Sequence, residues 1–215
     1  MTTTTNDMLA RLFGEQPAGL LRVTAGHDNA GDSEQFYRRT REGWSWPRSQ
    51  GRDTPLDFLV RNSDGQPLGW SPLLFAAPAT GGPVKIPVLW AAWPRVLVPH
   101  RAVPSYSAID PVSEAETVAT VAALSPLPTV ILDTGARMIA FWRLAAPLTS
   151  TTIAENRLLK LAVAHGAVRE AAVLGRTVVF PIPGTLAPGI IPARRVTAVA
   201  LGAETVTLDD LEVAS

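Results

Sequence analysis

The chain has 215 residues, 47% of them hydrophobic and 18% charged, and its 19 basic and 19 acidic side chains leave no net charge. This is the composition of a folded globular chain with a substantial core, one large domain or two closely packed subdomains, and it argues against a wide basic surface for gripping nucleic acid. With no cysteine and only His27, His100 and His165 among the histidines, disulfides and thiolate zinc sites are excluded and a histidine-based metal site is disfavoured. The N-terminus lacks a basic region followed by an apolar core, and no apolar run is long enough to span a bilayer, so a cytoplasmic location with no membrane partner is expected. Lys85 and Lys160 are the only lysines. Positive charge is therefore almost wholly arginine, which suits bidentate phosphate contacts and is equally the bias that a GC-rich genome would give.

In chain order, residues 5–14 read as a helix with Thr5 or Asn6 as its cap and Gly14 as its stop, and a strand follows from Gly19 to Val23. The next stretch is polar and carries Arg38, Arg39 and Arg41 with Trp44 and Trp46 close behind. Arginines beside aromatics are the composition of a single-strand contact site, since rings stack on bases while guanidinium groups neutralise phosphates. A solvated helix face with core tryptophans would read the same way. Asp57 to Arg61 and Ser71 to Ala76 read as strands joined by a turn from Asn62 to Pro67, and Thr80 to Pro83 breaks the pattern before a long strand from Lys85 to Trp93. Pro94 would end that strand, because proline cannot donate to a central ladder.

Arg95 to Pro104 reads as a further extended segment and Ser105 to Pro111 as a loop. The capping box Ser113-Glu114-Ala115-Glu116 predicts a helix through Leu124, stopped by Pro126 and Pro128; a second, Thr152 to Glu155, predicts one to about His165, stopped by Gly166. Between them, Val130-Ile131-Leu132, the turn residues Asp133-Thr134-Gly135-Ala136 and the apolar run Met138 to Leu144 outline a β-hairpin. Its tip is either simply solvated, or a place where Thr134, Gly135 and Arg137 hold a phosphate or carboxylate. Arg176 to Ile182 reads as a strand leading into Pro183-Gly184-Thr185, and Arg194-Arg195 opens two last strands, Val196 to Leu201 and Thr205 to Leu208.

Three of these stretches carry a resemblance. Asp133-Thr134-Gly135-x-x-Met138-x-x-Phe141-Trp142-Arg143-Leu144 looks like the second motif of the archaeo-eukaryotic primase superfamily, in its primase-polymerase branch from plasmids, phages and integrated elements. Val178 to Leu186, with Pro183-Gly184-Thr185, is similar to that family's third motif, and Val88-Leu89-Trp90-Ala91-Ala92-Trp93-Pro94 stands where the first motif carries hydrophobic-Trp-Ala-Asp-x-Asp. Order and spacing agree with the family.

The resemblance implies an α+β fold, primase-like, with a mixed or antiparallel sheet flanked by helices. It would comprise an N-terminal α/β unit over about residues 1–84 and an RRM-like, motif-bearing unit over about 85–215. It also implies a site without its usual chemistry. The two aspartates that hold divalent metal ions in the family are Ala92 and Pro94 here, the motif histidine is Ile139, the second glycine of its second motif is Arg137, and the arginine before Pro-Gly-Thr is Pro181. A methyl group and a pyrrolidine ring cannot coordinate magnesium or manganese.

The first expectation is therefore a non-catalytic replication accessory protein of a mobile element, without cofactor, that binds single-stranded DNA, nucleotide, a helicase or an active primase subunit. Thr134, Gly135 and Arg137 are the candidate phosphate-binding residues, and Arg38, Arg39, Arg41, Arg143, Arg194 and Arg195 the candidate DNA contacts. A second reading is an active primase using magnesium or manganese with relocated carboxylates, for instance Asp110, Asp133 or Glu170; a turn-capping role for Asp133 competes with that. A third is a structural subunit of a larger assembly, anchored through Trp90 and Trp93.

Overall fold

The computed structural model describes residues 3–15, 17–25, 34–46, 54–63, 68–78, 84–103, 107–168, 178–187, 190–202 and 204–212. It opens with helix α1 (Thr5–Phe13), whose N-terminus is capped by Thr4, the hydroxyl accepting from the Asp7 amide, and which ends at Gly14 with φ at 84°. The cap thus sits before both expected residues, Thr5 and Asn6: the Thr5 hydroxyl donates to the Pro183 carbonyl at 3.2 Å, and Asn6 donates to Asp57 Oδ2 at 2.6 Å.

Strands β1 (Leu20–Ala25), β2 (Glu34–Thr40), β3 (Gly43–Trp46) and the short β4 (Thr54–Pro55) form an antiparallel series that contains the arginine-rich stretch. Arg38 and Arg39 therefore stand on a strand and Arg41 on the turn after it, and none on a helix.

Helix α2 (Leu56–Arg61) replaces the strand predicted at Asp57 to Arg61. Pro55 is well suited to precede a helix, and Leu56, Leu59 and Val60 follow at helical spacing, Leu56 buried and the other two packed against the core. Strands β5 (Leu68–Phe75) and β6 (Val84–Pro94) follow the predicted pattern, and Pro94 closes β6 as expected.

The segment after β6 forms a small separate hairpin, β7 (Leu97–Pro99) with β8 (Ser107–Ile109), where a single extended segment and a loop were expected. Helix α3 (Pro111–Ala122) begins two residues before Ser113 because Asp110 is its cap and Pro111 supplies a preset φ at the first position. Strands β9 (Val130–Asp133) and β10 (Arg137–Leu148) make the central hairpin, and helix α4 (Thr151–Ala164) is capped by Ser150 and not by Thr152.

Of the strand predicted from Arg176, residues 176–177 lie outside the described residues, and the pairing seen is confined to β11 (Phe180–Pro181). Strand β12 (Thr197–Ala200) is as expected, but the predicted last strand reduces to one bridge from Val206 to Leu144, followed by helix α5 (Leu208–Glu212). The Asp210 carboxylate accepts from the Thr207 amide while the Thr207 hydroxyl accepts from the Asp210 amide, a reciprocal cap that starts a helix where β-branched residues suggested a strand.

The main sheet runs in the order β12-β9-β10-β6-β5-β1-β2-β3-β4, with β11 paired to β5, and every named pairing is antiparallel. The RRM-like βαββαβ order is present as β6-α3-β9-β10-α4-β12. Strand β12 joins β9, since the far side of β6 is already taken by β5 through Leu74↔Lys85 and Phe75↔Val84.

Both faces of β6 are covered, which is why its sequence is almost continuously apolar instead of alternating. On one face Trp90 and Phe141 meet Phe180, and Trp70 links them to Phe13 of α1 in a chain of ring contacts 5.0–5.8 Å apart. On the other, α4 lies along the sheet, the Trp93 indole donates to the His165 carbonyl at 3.0 Å, and Trp142 stacks on the His165 ring. Burial holds the pKa of His165 below the ordinary histidine value. Trp90 and Trp93 are buried, which removes them as surface anchors for an assembly. Among the described residues no helix is long and apolar enough to cross a membrane.

Candidate functional site at the motif strands

The register of β6 against β10 brings the first two motifs together. Pro94 lies opposite Arg137, Ala92 opposite Ile139 and Trp90 opposite Phe141. Directly opposed residues of an antiparallel pair share a face, so the two positions that resemble metal ligands and the one that resembles the motif histidine form one patch. Ala92 and Ile139 are buried, whereas Pro94 and Arg137 are exposed at its rim.

The third motif reaches the same face. Phe180 packs on Trp90 and Phe141, and the chain then turns through Pro183-Gly184-Thr185, with the Gly184 amide donating to the Val196 carbonyl at 2.8 Å and the Thr185 hydroxyl to the Ile182 carbonyl at 2.7 Å. At the two ligand positions no side chain can donate an electron pair to a metal ion. Among the described residues no three His, Asp or Glu side chains gather into a metal-binding group. The donor set does not fit the two-metal centre of the family.

At the hairpin tip, Thr134 and Gly135 are buried, and their polar groups are bonded inside the turn. The Thr134 amide donates to the Arg137 carbonyl at 3.0 Å, its hydroxyl accepts from the Arg137 amide at 3.2 Å, and the Gly135 amide donates to Asp133 Oδ1 at 2.8 Å. Asp133 is thus the turn cap. Gly135 has φ at 79°, and a Cβ there would stand 3.5 Å from Ala187, an ordinary contact. Gly135→Ala is accordingly expected to cost about 1–2 kcal/mol, the strain of the left-handed region without a steric clash, and urea denaturation would measure it.

On the opposite face of the sheet the tip is braced by charge. Arg95, immediately after the first motif, donates from Nη1 to Asp133 Oδ1 at 2.7 Å, from Nη2 to Asp133 Oδ2 at 3.0 Å and from Nη1 to the Gly135 carbonyl at 2.9 Å. Beside this pair Arg194 is bonded to both carboxylate oxygens of Glu114 on α3. The hydrogen bond from Arg194 holds the Glu114 carboxyl below its ordinary value of 4.5, and the same bond raises Arg194.

A carboxyl depressed by folding contributes stability that is complete above its unfolded pKa and is lost as pH falls through the lowered folded value. Stability is therefore expected to decline below about pH 4.5, and Glu114→Gln to flatten that part of the profile in urea unfolding followed against pH.

The six arginines proposed as DNA contacts do not form one surface. Arg38, Arg39 and Arg41 stand on β2 and the turn after it; Arg39 and Arg41, with Thr40, line a cleft of about 690 Å³ against Ala10, Glu15 and Pro17. Trp44, paired with Arg39 across β2 and β3, is fully buried edge-on to Phe13, so its ring is no stacking platform; the side chain of Trp46 lies outside the described residues. Arg143 reaches the C-terminal end of α1, where a Cβ on Gly14 would stand 2.8 Å from Nη2. Arg194 is bound to Glu114, and Arg195 donates to the Gly184 carbonyl at 2.6 Å.

Of the relocated carboxylates, Asp110 caps α3, Asp133 caps the hairpin turn, and Glu170 lies outside the described residues. The sequence reading passed over Arg95 and Glu114. The signal was faint: an arginine one residue beyond an apolar strand, which becomes informative only once the register places it beside Asp133.

No protein-family model matches the chain, and no curated protein matches it. Solved structures do. The archaeo-eukaryotic primase domain of cyanophage S-2L primase-polymerase superposes with a TM-score of 0.55 at 13% identity, over 96% of this chain and 93% of that one. The fold is archaeo-eukaryotic primase-like. The primase RepB′ agrees, with a TM-score of 0.53 at 11% identity over 98% of this chain and 62% of that one, as does its catalytic domain in complex with initiator DNA, at 0.53 and 11% over 99% and 94%. The primase-like fold accounts for the way three separately weak motifs converge on one face.

Proposed function

We propose that this chain is a nucleic-acid-binding, primase-like replication protein that does not itself carry out two-metal catalysis. The observation that carries the reading is the pair of cross-strand neighbours Ala92/Ile139 and Pro94/Arg137. The strand positions that resemble metal ligands carry alanine and proline, and Asp133 and Glu114, near the hairpin, are committed to arginines on the other face. Arg137, exposed at the rim beside Pro94, is the cation best placed to meet a phosphate there. The likeness to a primase domain seen with initiator DNA supports a DNA ligand. A replication accessory of a mobile element, working beside a helicase or an active primase subunit, is the setting that fits a binding domain of this kind.

Two measurements test the proposal. Single-stranded DNA is expected to bind in a fluorescence-anisotropy titration with a salt-dependent affinity, and primer synthesis with magnesium or manganese to yield no product. Primers made by the wild-type chain would instead overturn the proposal in favour of the active-primase reading.

A further inference from the structure

Resting on that reading, we propose that the cleft between the C-terminal half of α1 and the β2–β3 turn is a phosphate-backbone subsite for single-stranded nucleic acid, separate from the motif face. Its walls are Ala10, Glu15, Pro17, Arg39, Thr40 and Arg41, around a volume of about 690 Å³. That size lies within the range of about 300–1,000 Å³ for built ligand pockets. Arg39 is half-buried and its Nε, out of reach of solvent, has no hydrogen-bond partner. What the cleft offers a phosphate is the charge of the Arg39 guanidinium together with that of exposed Arg41 beside it.

Among the described residues the cleft holds two guanidinium groups against one carboxylate, and Arg143 lies just behind its wall, against Gly14 next to Glu15. Arg143 is six residues along β10 from Arg137, about 20 Å at the rise of an extended strand, so the cleft and the motif face would engage different parts of one strand. Among the described residues no aromatic ring lines the cleft, and Trp44, paired with Arg39, is buried against Phe13. Recognition there is therefore of phosphates and not of bases, and it carries no sequence preference.

The test is anisotropy titration of a labelled oligothymidylate against salt, for the wild-type chain and for Arg41→Gln, Arg39→Gln with Arg41→Gln, Glu15→Gln and Arg137→Gln. The double variant is expected to bind at least about tenfold more weakly and to lower the salt slope by about 1.4, at about 0.7 for each lost phosphate contact with a single strand. Arg41 is exposed on a turn, so Arg41→Gln alone keeps the test valid should the double variant fold poorly, and about half the slope change is expected from it. Glu15→Gln removes the cleft's negative charge and is expected to tighten binding.

Unlabelled oligothymidylate should compete, whereas a free nucleoside triphosphate at equal phosphate concentration should compete poorly; efficient competition by the triphosphate would overturn the strand assignment in favour of a nucleotide site. Wild-type binding with unchanged affinity and slope in Arg41→Gln and the double variant, but lost in Arg137→Gln, would refute the cleft and leave the proposed function standing. Absence of any wild-type binding would remove both.

Discussion

Asp133→Ala is expected to destabilise the protein by about 3–5 kcal/mol, because it leaves the guanidinium of Arg95, whose side chain is wholly buried, without its counter-charge. For a chain of this size that is a fall of about 6–20 °C in the unfolding midpoint, readable by thermal denaturation. Two separate losses contribute: the bidentate pair with Arg95 and the cap on the Gly135 amide. Asp133→Asn keeps an acceptor for the cap and should lie between the wild type and the alanine variant. The double variant Arg95→Met with Asp133→Leu should recover part of the loss relative to Asp133→Ala, since it removes the stranded charge along with its partner. If Asp133→Ala unfolded at the wild-type midpoint, the brace assigned to this pair would be wrong.

Ala92→Asp combined with Pro94→Asp is expected to make the stability of the protein depend on divalent ions. Ala92 is 1% exposed and sits beside Ile139. A carboxylate placed there without an ion is an uncompensated buried charge and should cost several kcal/mol. Manganese bound to the refilled site would offset that loss by about 2.7 kcal/mol at a concentration a hundred times its dissociation constant. The measurement is the unfolding midpoint with and without manganese for wild type and variant. A manganese-dependent shift in the variant alone supports the view that the primase-like scaffold kept its shape while its ligands were replaced; an equal shift in the wild type would mean that the chain binds the ion elsewhere.

Much of the scaffold was legible in the residues. The apolar run before Pro94, the Asp-Thr-Gly turn and the Gly14 stop each act through local backbone preferences that need no partner. Where local signals competed, the reading failed in a consistent way. Asp57 to Arg61, with Phe58 and Val60 among apolar neighbours, reads as a strand yet forms α2, because the preceding proline and the contact of Leu56, Leu59 and Val60 with the core outweigh propensity. Thr205 to Leu208 lost its strand to the reciprocal Thr207–Asp210 cap. Helix caps moved by one to three residues to whichever hydroxyl or carboxylate could reach the free amides, as Thr4, Asp110 and Ser150 did.

The candidate site divides along the same line. The sequence alone determined that alanine and proline occupy the positions resembling metal ligands, since side-chain chemistry is a property of the residue and not of its surroundings. It also marked the hairpin and its capping aspartate, because a turn is a contact between near neighbours. Only the tertiary structure decided that Ala92 faces Ile139, that Arg95 neutralises Asp133, that Arg194 is spent on Glu114, and that Arg39 and Arg41 share a cleft with α1 while Trp44 is buried against Phe13. Those facts depend on strand register and on which face each side chain takes, and both are set by the simultaneous packing of segments far apart in the chain.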